Sequence, residues 1–152
     1  MLAALGPKML DLAARRSRGA HTYLSPVEHT AWAREVLGPD ALLAPALKVV
    51  LDRDATRARE IGRRAVGPPA RMAAYRANLL RFGYTDEDLG RAPNDRVVDA
   101  LVAWGDEAAI AARAQDHLEA GADHVCVEVL SGDRTVPLDA WRRLAPALGD
   151  VG

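Results

Sequence analysis

The sequence predicts an α/β fold with a parallel sheet and flanking helices, and three observations carry this. Short apolar segments alternate with amphipathic helical segments, in the order strand–helix–strand–helix–strand–helices–strand–helix. The run Leu42 to Leu51 is almost continuously apolar, as in a strand buried on both faces. No linker, low-complexity tract or internal repeat divides the 152 residues, so residues 1–152 are expected to form one domain.

The elements follow in order. Leu2-Ala3-Ala4-Leu5 is a short apolar run ending at Gly6-Pro7. A proline in the first helical turn loses no hydrogen bond, so a helix can begin there. Met9, Leu12 and Ala13 then recur at helical spacing through Arg16. Gly19 to Leu24 reads as a strand. Ser25-Pro26 opens the next helix, with Ser25 as cap and Glu28 at the capping-box position, and Gly38-Pro39 stops it. In the following strand, Pro45 is expected to confine pairing to Leu47 through Leu51. Asp54 to Val66 is an Arg-rich helix broken by Gly67-Pro68-Pro69. A further helix carries Met72, Tyr75, Leu79 and Phe82 on one side and ends at Gly83. Thr85-Asp86-Glu87-Asp88 has the elements of a helix start, and Asp95 to Trp104 reads as helix. Asp106 opens a long helix with Ile110, Ala114 and Leu118 inward and Gly121 beyond its end. His124 to Leu130 is a strand, and Leu138 to Leu148 a closing helix.

Composition narrows the possible functions. Apolar residues make up 49% and charged residues 27%, a normal globular balance. The formal net charge of −1 gives no bulk field to hold nucleic acid or an anionic membrane. The arginines Arg53, Arg57, Arg59, Arg63 and Arg64 are interleaved with Asp52, Asp54 and Glu60, the pattern of a solvated helix face. Cys126 is the sole cysteine and sits in an apolar run, so it reads as a small buried hydrophobe. No apolar run approaches the roughly 20 residues of a spanning helix, and a cytoplasmic location is expected. His29 is expected on an exposed helix turn, and His117 near a helix C-terminus where partial positive charge is favourable. The four histidines have no metal-site spacing, and no G-x-S-x-G, phosphate-loop or C-x-x-C motif occurs. Trp32, Trp104 and Trp141 fall on different helices, as packing residues do.

Three segments, in order, resemble the luciferase-like monooxygenase superfamily, and within it the deazaflavin (coenzyme F420)-dependent oxidoreductases. The first is Ala3-Ala4-Leu5-Gly6-Pro7-Lys8-Met9, followed by a helix and Arg18-Gly19-Ala20-His21-Thr22-Tyr23-Leu24. The second is Leu42-Leu43-Ala44-Pro45. The third is Trp104-Gly105-Asp106-Glu107, a long helix, then Ala120-Gly121-Ala122-Asp123-His124-Val125. The resemblance implies a partial TIM-type (β/α)₈ barrel, specifically the C-terminal half, since whole barrels need roughly 250 residues. Arg18-Gly19 departs from the acidic residue and glycine common in the family at that place. Half a barrel is expected to expose two strand edges and its inner sheet face. Such a chain would pair with a missing N-terminal half or assemble as a homo-oligomer.

The resemblance also implies that the coenzyme phosphate lies on βα loops of this half. The matching positions are Leu5 and Gly6 in one loop and Tyr23 and Leu24 in the next, with Lys8 adding charge. Free N–H groups at a helix N-terminus, with the helix dipole behind them, hold an anion. The residues alone are equally those of a plain strand-to-helix turn. His21 and Thr22 end an inner strand, where barrel enzymes place polar site residues; a hydrogen-bonded core histidine is the other reading. The implied chemistry is hydride transfer between the deazaflavin and an organic small-molecule substrate, with the ring pocket and proton-transfer residues in the other half. No catalytic acid or base is assigned in this chain. FMN is the alternative coenzyme, since both present a phosphate on a ribityl-type chain. A non-catalytic, self-assembling half-barrel is the alternative of another class.

Overall fold

The computed structural model describes residues 1–133 and 135–149. Its strands are β1 (Leu2–Ala3), β2 (Gly19–Thr22), β3 (Leu42–Leu51), β4 (Val102–Gly105) and β5 (Cys126–Val129). Its helices are α1 (Pro7–Arg16), α2 (Val27–Leu37), α3 (Ala55–Ala70), α4 (Ala73–Arg81), α5 (Asp86–Leu89), α6 (Asp95–Leu101), α7 (Glu107–Glu119) and α8 (Leu138–Gly149). None of these helices is long and apolar enough to cross a membrane.

All strand pairs are parallel, in the order β1-β2-β3-β4, with β5 also on β3. The long strand β3 is the centre. Residues 42–45 pair with β2, 48–51 with β4 and 46–49 with β5. The expectation that Pro45 limits pairing is corrected, because Pro45 stands in register opposite Thr22. Leu42 donates its N–H to Arg18 O, and Leu43 donates its own to the Asp123 carboxylate. Successive amides point to opposite edges, so Pro45, like Leu43, turns its nitrogen away from β2. The missing N–H falls just before the β5 ladder begins at Ala46, and neither ladder loses a bond. Arg18 contributes here through its carbonyl, so its departure from the family pattern leaves the strand contact intact.

Side chains alternate across β3 and sort the core by face. Leu43 packs with Leu10, Ala13, Ala33 and Leu37 of α1 and α2. Leu47 and Val49 pack with Ile110, Ala114 and Leu144 of α7 and α8. Val50 turns to the opposite face and packs with Val102 of β4 and with Ala58, Val66, Leu79, Val97 and Val98 of α3, α4 and α6. The inner face is therefore partly covered, not open as expected. The handedness of crossovers explains it. From β2 to β3, and from β4 over β3 to β5, the chain advances one way across the sheet, with α2 and α7 on one face. From β3 to β4 it steps back, and a right-handed connection then places α3–α6 on the other face. Gly62 lets α3 approach closely, since a Cβ there would lie 2.9 Å from Val98 Cγ1. Leu42, at the lower end of the sheet, stays 40% exposed. No strand pairs with the outer edge of β1 or β5 among the described residues.

Three further expectations are corrected. Val102–Gly105 is strand, not the end of a helix, because β3 offers it an unpaired edge at Lys48–Leu51. Pro68 and Pro69 do not break α3, which runs through them to Ala70. They sit in its last turn, where only two carbonyls of the preceding turn lose intrahelical donors. Ser25 does not cap α2. Pro26 holds that position, and Ser25 Oγ lies 3.1 Å from Thr22 Oγ1 instead. The capping box at Thr85 and Asp88 forms, and the Thr85 backbone N–H is the main cause holding the Asp88 carboxyl down at about 2. The Arg-rich face of α3 pairs with carboxylates: Arg57 with Asp52, Arg59 with Asp99, Arg63 with Asp95 and Arg64 with Glu60.

Candidate functional site

The parallel register sets Ala3 beside His21, and Ala4 donates its N–H to His21 O. The loops Leu5–Gly6 and Tyr23–Ser25 therefore leave the sheet side by side, at the C-terminal ends of β1 and β2. Gly6 is the N-cap of α1, and its carbonyl accepts from Met9 and Leu10. No side chain caps this helix and no acid lies in its first turn, while Lys8 is exposed there. An uncapped positive helix end beside a cation lacks a negative counterpart. The helices α3, α5, α6 and α7 are by contrast each capped by a side-chain oxygen. The Gly6 and Lys8 amides, the Lys8 side chain and the open space around Gly6 fit the phosphate of a coenzyme.

The second loop is strained. Leu24 has φ of 53°, the left-handed region, and yet is 2% exposed within the core under α4. Tyr23 stacks edge-on with Tyr75 and carries Lys48 Nζ 4.5 Å from its ring centre. Thr22 is fully buried, and its hydroxyl is taken up by Ser25. It shares the face of Ala20, which packs against α1 and α2, so it points into the helix layer. His21 is partly buried, with Nδ1 2.8 Å from Ala44 O. Leu5, Gly6, Tyr23 and Leu24 thus meet at one corner of the sheet, with Lys8 at its rim, His21 on the inner face and Thr22 behind.

Several residues near this corner were not legible as a set. Lys48, 3% exposed, donates to Glu128 Oε2 at 2.6 Å across 80 residues of sequence. Both stand on the inner face beside Tyr23. His29, expected at the surface, is fully buried between Trp32 and Phe82. Its Nε2 donates to Leu5 O at 2.9 Å, and its Nδ1 has no partner. Burial, and then the positive charge of Arg81, lower its pKa and keep it neutral. His117 is also buried, with Nδ1 2.9 Å from Thr30 Oγ1. Burial, and then Arg113, push its pKa down to about 4, so the expected partial charge is absent. Arg34 ties the far end of α2 to the sheet through Gly38 O, Ala41 O, Gly121 O and the Asp123 carboxylate.

A groove of about 680 Å³ opens at the C-terminal ends of β3 and β5, lined by Asp52, Arg57, Ser131, Asp133 and Pro137 among others. None of the seven candidate residues lines it. No group of three or more metal-ligating side chains occurs among the described residues.

Three solved structures with this arrangement have the luciferase-like barrel fold. An F420-dependent secondary alcohol dehydrogenase in complex with an F420–acetone adduct matches 96% of the chain at 16% identity, with a TM-score of 0.64. The coenzyme F420-dependent tetrahydromethanopterin reductase of Methanopyrus kandleri matches 84% at 19% identity and 0.67. The structure of apo-MsnO8 matches 97% at 16% identity and 0.60. These likenesses define the fold as that of the luciferase-like TIM-type barrels. The chain spans about half the length of each, 47%, 43% and 50%. No family model matches the chain, and no curated protein matches it in sequence.

Proposed function

We propose that this chain is the C-terminal half of an F420-dependent oxidoreductase, and that the corner between α1 and the Tyr23–Leu24 loop holds the coenzyme phosphate. The observation that carries the reading is the fold likeness to two F420-dependent enzymes over most of this chain. When bound, the coenzyme supplies a ring carbon that exchanges hydride with an organic small molecule. The residues here bind and orient. The Leu5–Gly6 loop and the first turn of α1 offer amides to the phosphate, and Lys8 adds a cation. Tyr23 and Leu24 form the adjoining wall, held from the inner face by Lys48 and from α4 by Tyr75. His21 lies on the inner face beneath them. Residues 1–152 act as one unit, and the remaining barrel wall comes from another half, covalent or associated.

A fluorescence titration of the purified chain with F420, with FMN as control, tests this. Saturable micromolar binding is expected. Lys8→Ala should weaken it about fivefold, the equivalent of about 1 kcal/mol for a charge at a helix end. Equal binding of FMN would move the coenzyme assignment to flavin. A folded chain that binds neither would overturn the reading in favour of a non-catalytic, self-assembling half-barrel.

A further inference from the structure

We propose that His29 is a positioning residue that fixes the β1–α1 loop and so aims the first-turn amides of α1; its service to a coenzyme rests on the function proposed above. The loop has few other restraints. Ala4 is tied to β2 through its N–H, and the Gly6 carbonyl is used by its own helix. Gly6 itself has φ of −94° and ψ of 167°, and a Cβ there would meet nothing within 4 Å, so sterics do not hold it. The Leu5 carbonyl is thus the point at which the loop is anchored to α2, and His29 Nε2 is its donor.

The chemistry of the pocket argues that this bond is the reason for a histidine. Trp32 and Phe82 approach the imidazole edge-on at 5.4 and 5.5 Å between ring centres, surroundings suited to an apolar side chain. The ring is fully buried and leaves Nδ1 without a partner, which an apolar residue would avoid. What an apolar residue could not do is donate to Leu5. Because that partner is a carbonyl, the proton sits on Nε2 and Nδ1 is bare. His29 also lies in the first turn of α2, directly after the Tyr23–Ser25 loop, so one bond sets the two candidate loops against each other.

The test compares the 152-residue wild type with His29→Leu and His29→Gln. Glutamine places an amide N–H close to the position of Nε2. Amide hydrogen exchange at Met9 and Leu10, whose N–H groups are bonded to Gly6 O, is measured without ligand, alongside F420 titrations. Exchange there should quicken about tenfold in His29→Leu and return towards the wild-type rate in His29→Gln, with coenzyme affinity following the same order. Equal exchange in wild type and His29→Leu overturns the assignment whatever the titrations show. Altered exchange with no coenzyme binding by any form supports the anchor and removes only the coenzyme reading. Should His29→Leu fail to fold, imidazole nitrogen shifts of the wild type decide the matter. The Nε2–H tautomer is expected, and an Nδ1–H tautomer overturns the proposal.

Discussion

Leu24 combines two opposed demands at one residue. Its backbone is left-handed, which costs a non-glycine residue about 1–2 kcal/mol. Its side chain is buried against α4, where truncation to alanine costs about 2–5 kcal/mol. Leu24→Ala loses the packing and keeps the strain, while Leu24→Gly loses both. The usual order should therefore invert, with Leu24→Gly about 1 kcal/mol more stable than Leu24→Ala in urea denaturation. An alanine variant as stable as the glycine variant would show that the backbone is not strained. At this scale the sequence said least. His29 and His117 read as exposed or charged because burial of a histidine is decided by neighbours distant in the chain, here Leu5 with Phe82 and Thr30. The Lys48–Glu128 pair was invisible for the same reason. That the Leu5–Gly6 and Tyr23–Leu24 loops lie side by side follows from the parallel pairing that the strand–helix alternation predicts, whereas their role toward a coenzyme came from the family resemblance alone.

Elements were read well where local chemistry defines them. Pro7 starts α1, Gly38 stops α2 and Thr85 with Asp88 boxes α5. Thr85→Ala should cost about 1 kcal/mol, measurable as a lowered denaturation midpoint. One misreading has a tertiary cause, since an edge offered by the rest of the sheet overrides local preference. Val102–Gly105 continues a helical pattern without a breaker, yet pairs with β3. Gly19 shows how closely strands meet. Its φ is 146°, and a Cβ would fall 1.9 Å from Leu42 O. Gly19→Ala should part β2 from β3 and destabilise by at least about 3 kcal/mol in thermal unfolding. A variant melting with the wild type would mean that the two strands can separate at no cost.

Across the whole molecule, the buried histidines set a response to acid. The pKa of His117 falls from an ordinary 6.5 to about 4 on folding. Between those values the unfolded chain binds the proton and the folded chain does not. Stability from this group is thus complete above pH 6.5, declines as pH drops to about 4, and is flat below. The loss should reach about 3 kcal/mol. His29, lowered in the same direction, adds to it. Asp88, held at about 2, acts in a separate window below pH 3.8. Stability measured by urea unfolding from pH 7 to 4 should fall, and His117→Gln should flatten the curve. A pH-independent wild type would mean that His117 titrates normally in the fold.

The central position of β3 also has a consequence in time. As the chain leaves the ribosome, β3 can pair at once with β2, which precedes it. Its other edge waits for β5, whose Glu128 follows Lys48 by 80 residues. At ordinary rates of synthesis, that interval is about 4–16 s. Until α7 is made, late in that interval, Leu47 and Val49 lie uncovered on a half-paired strand, and α8 follows only after β5, so the nascent chain is most open to misassociation in this window.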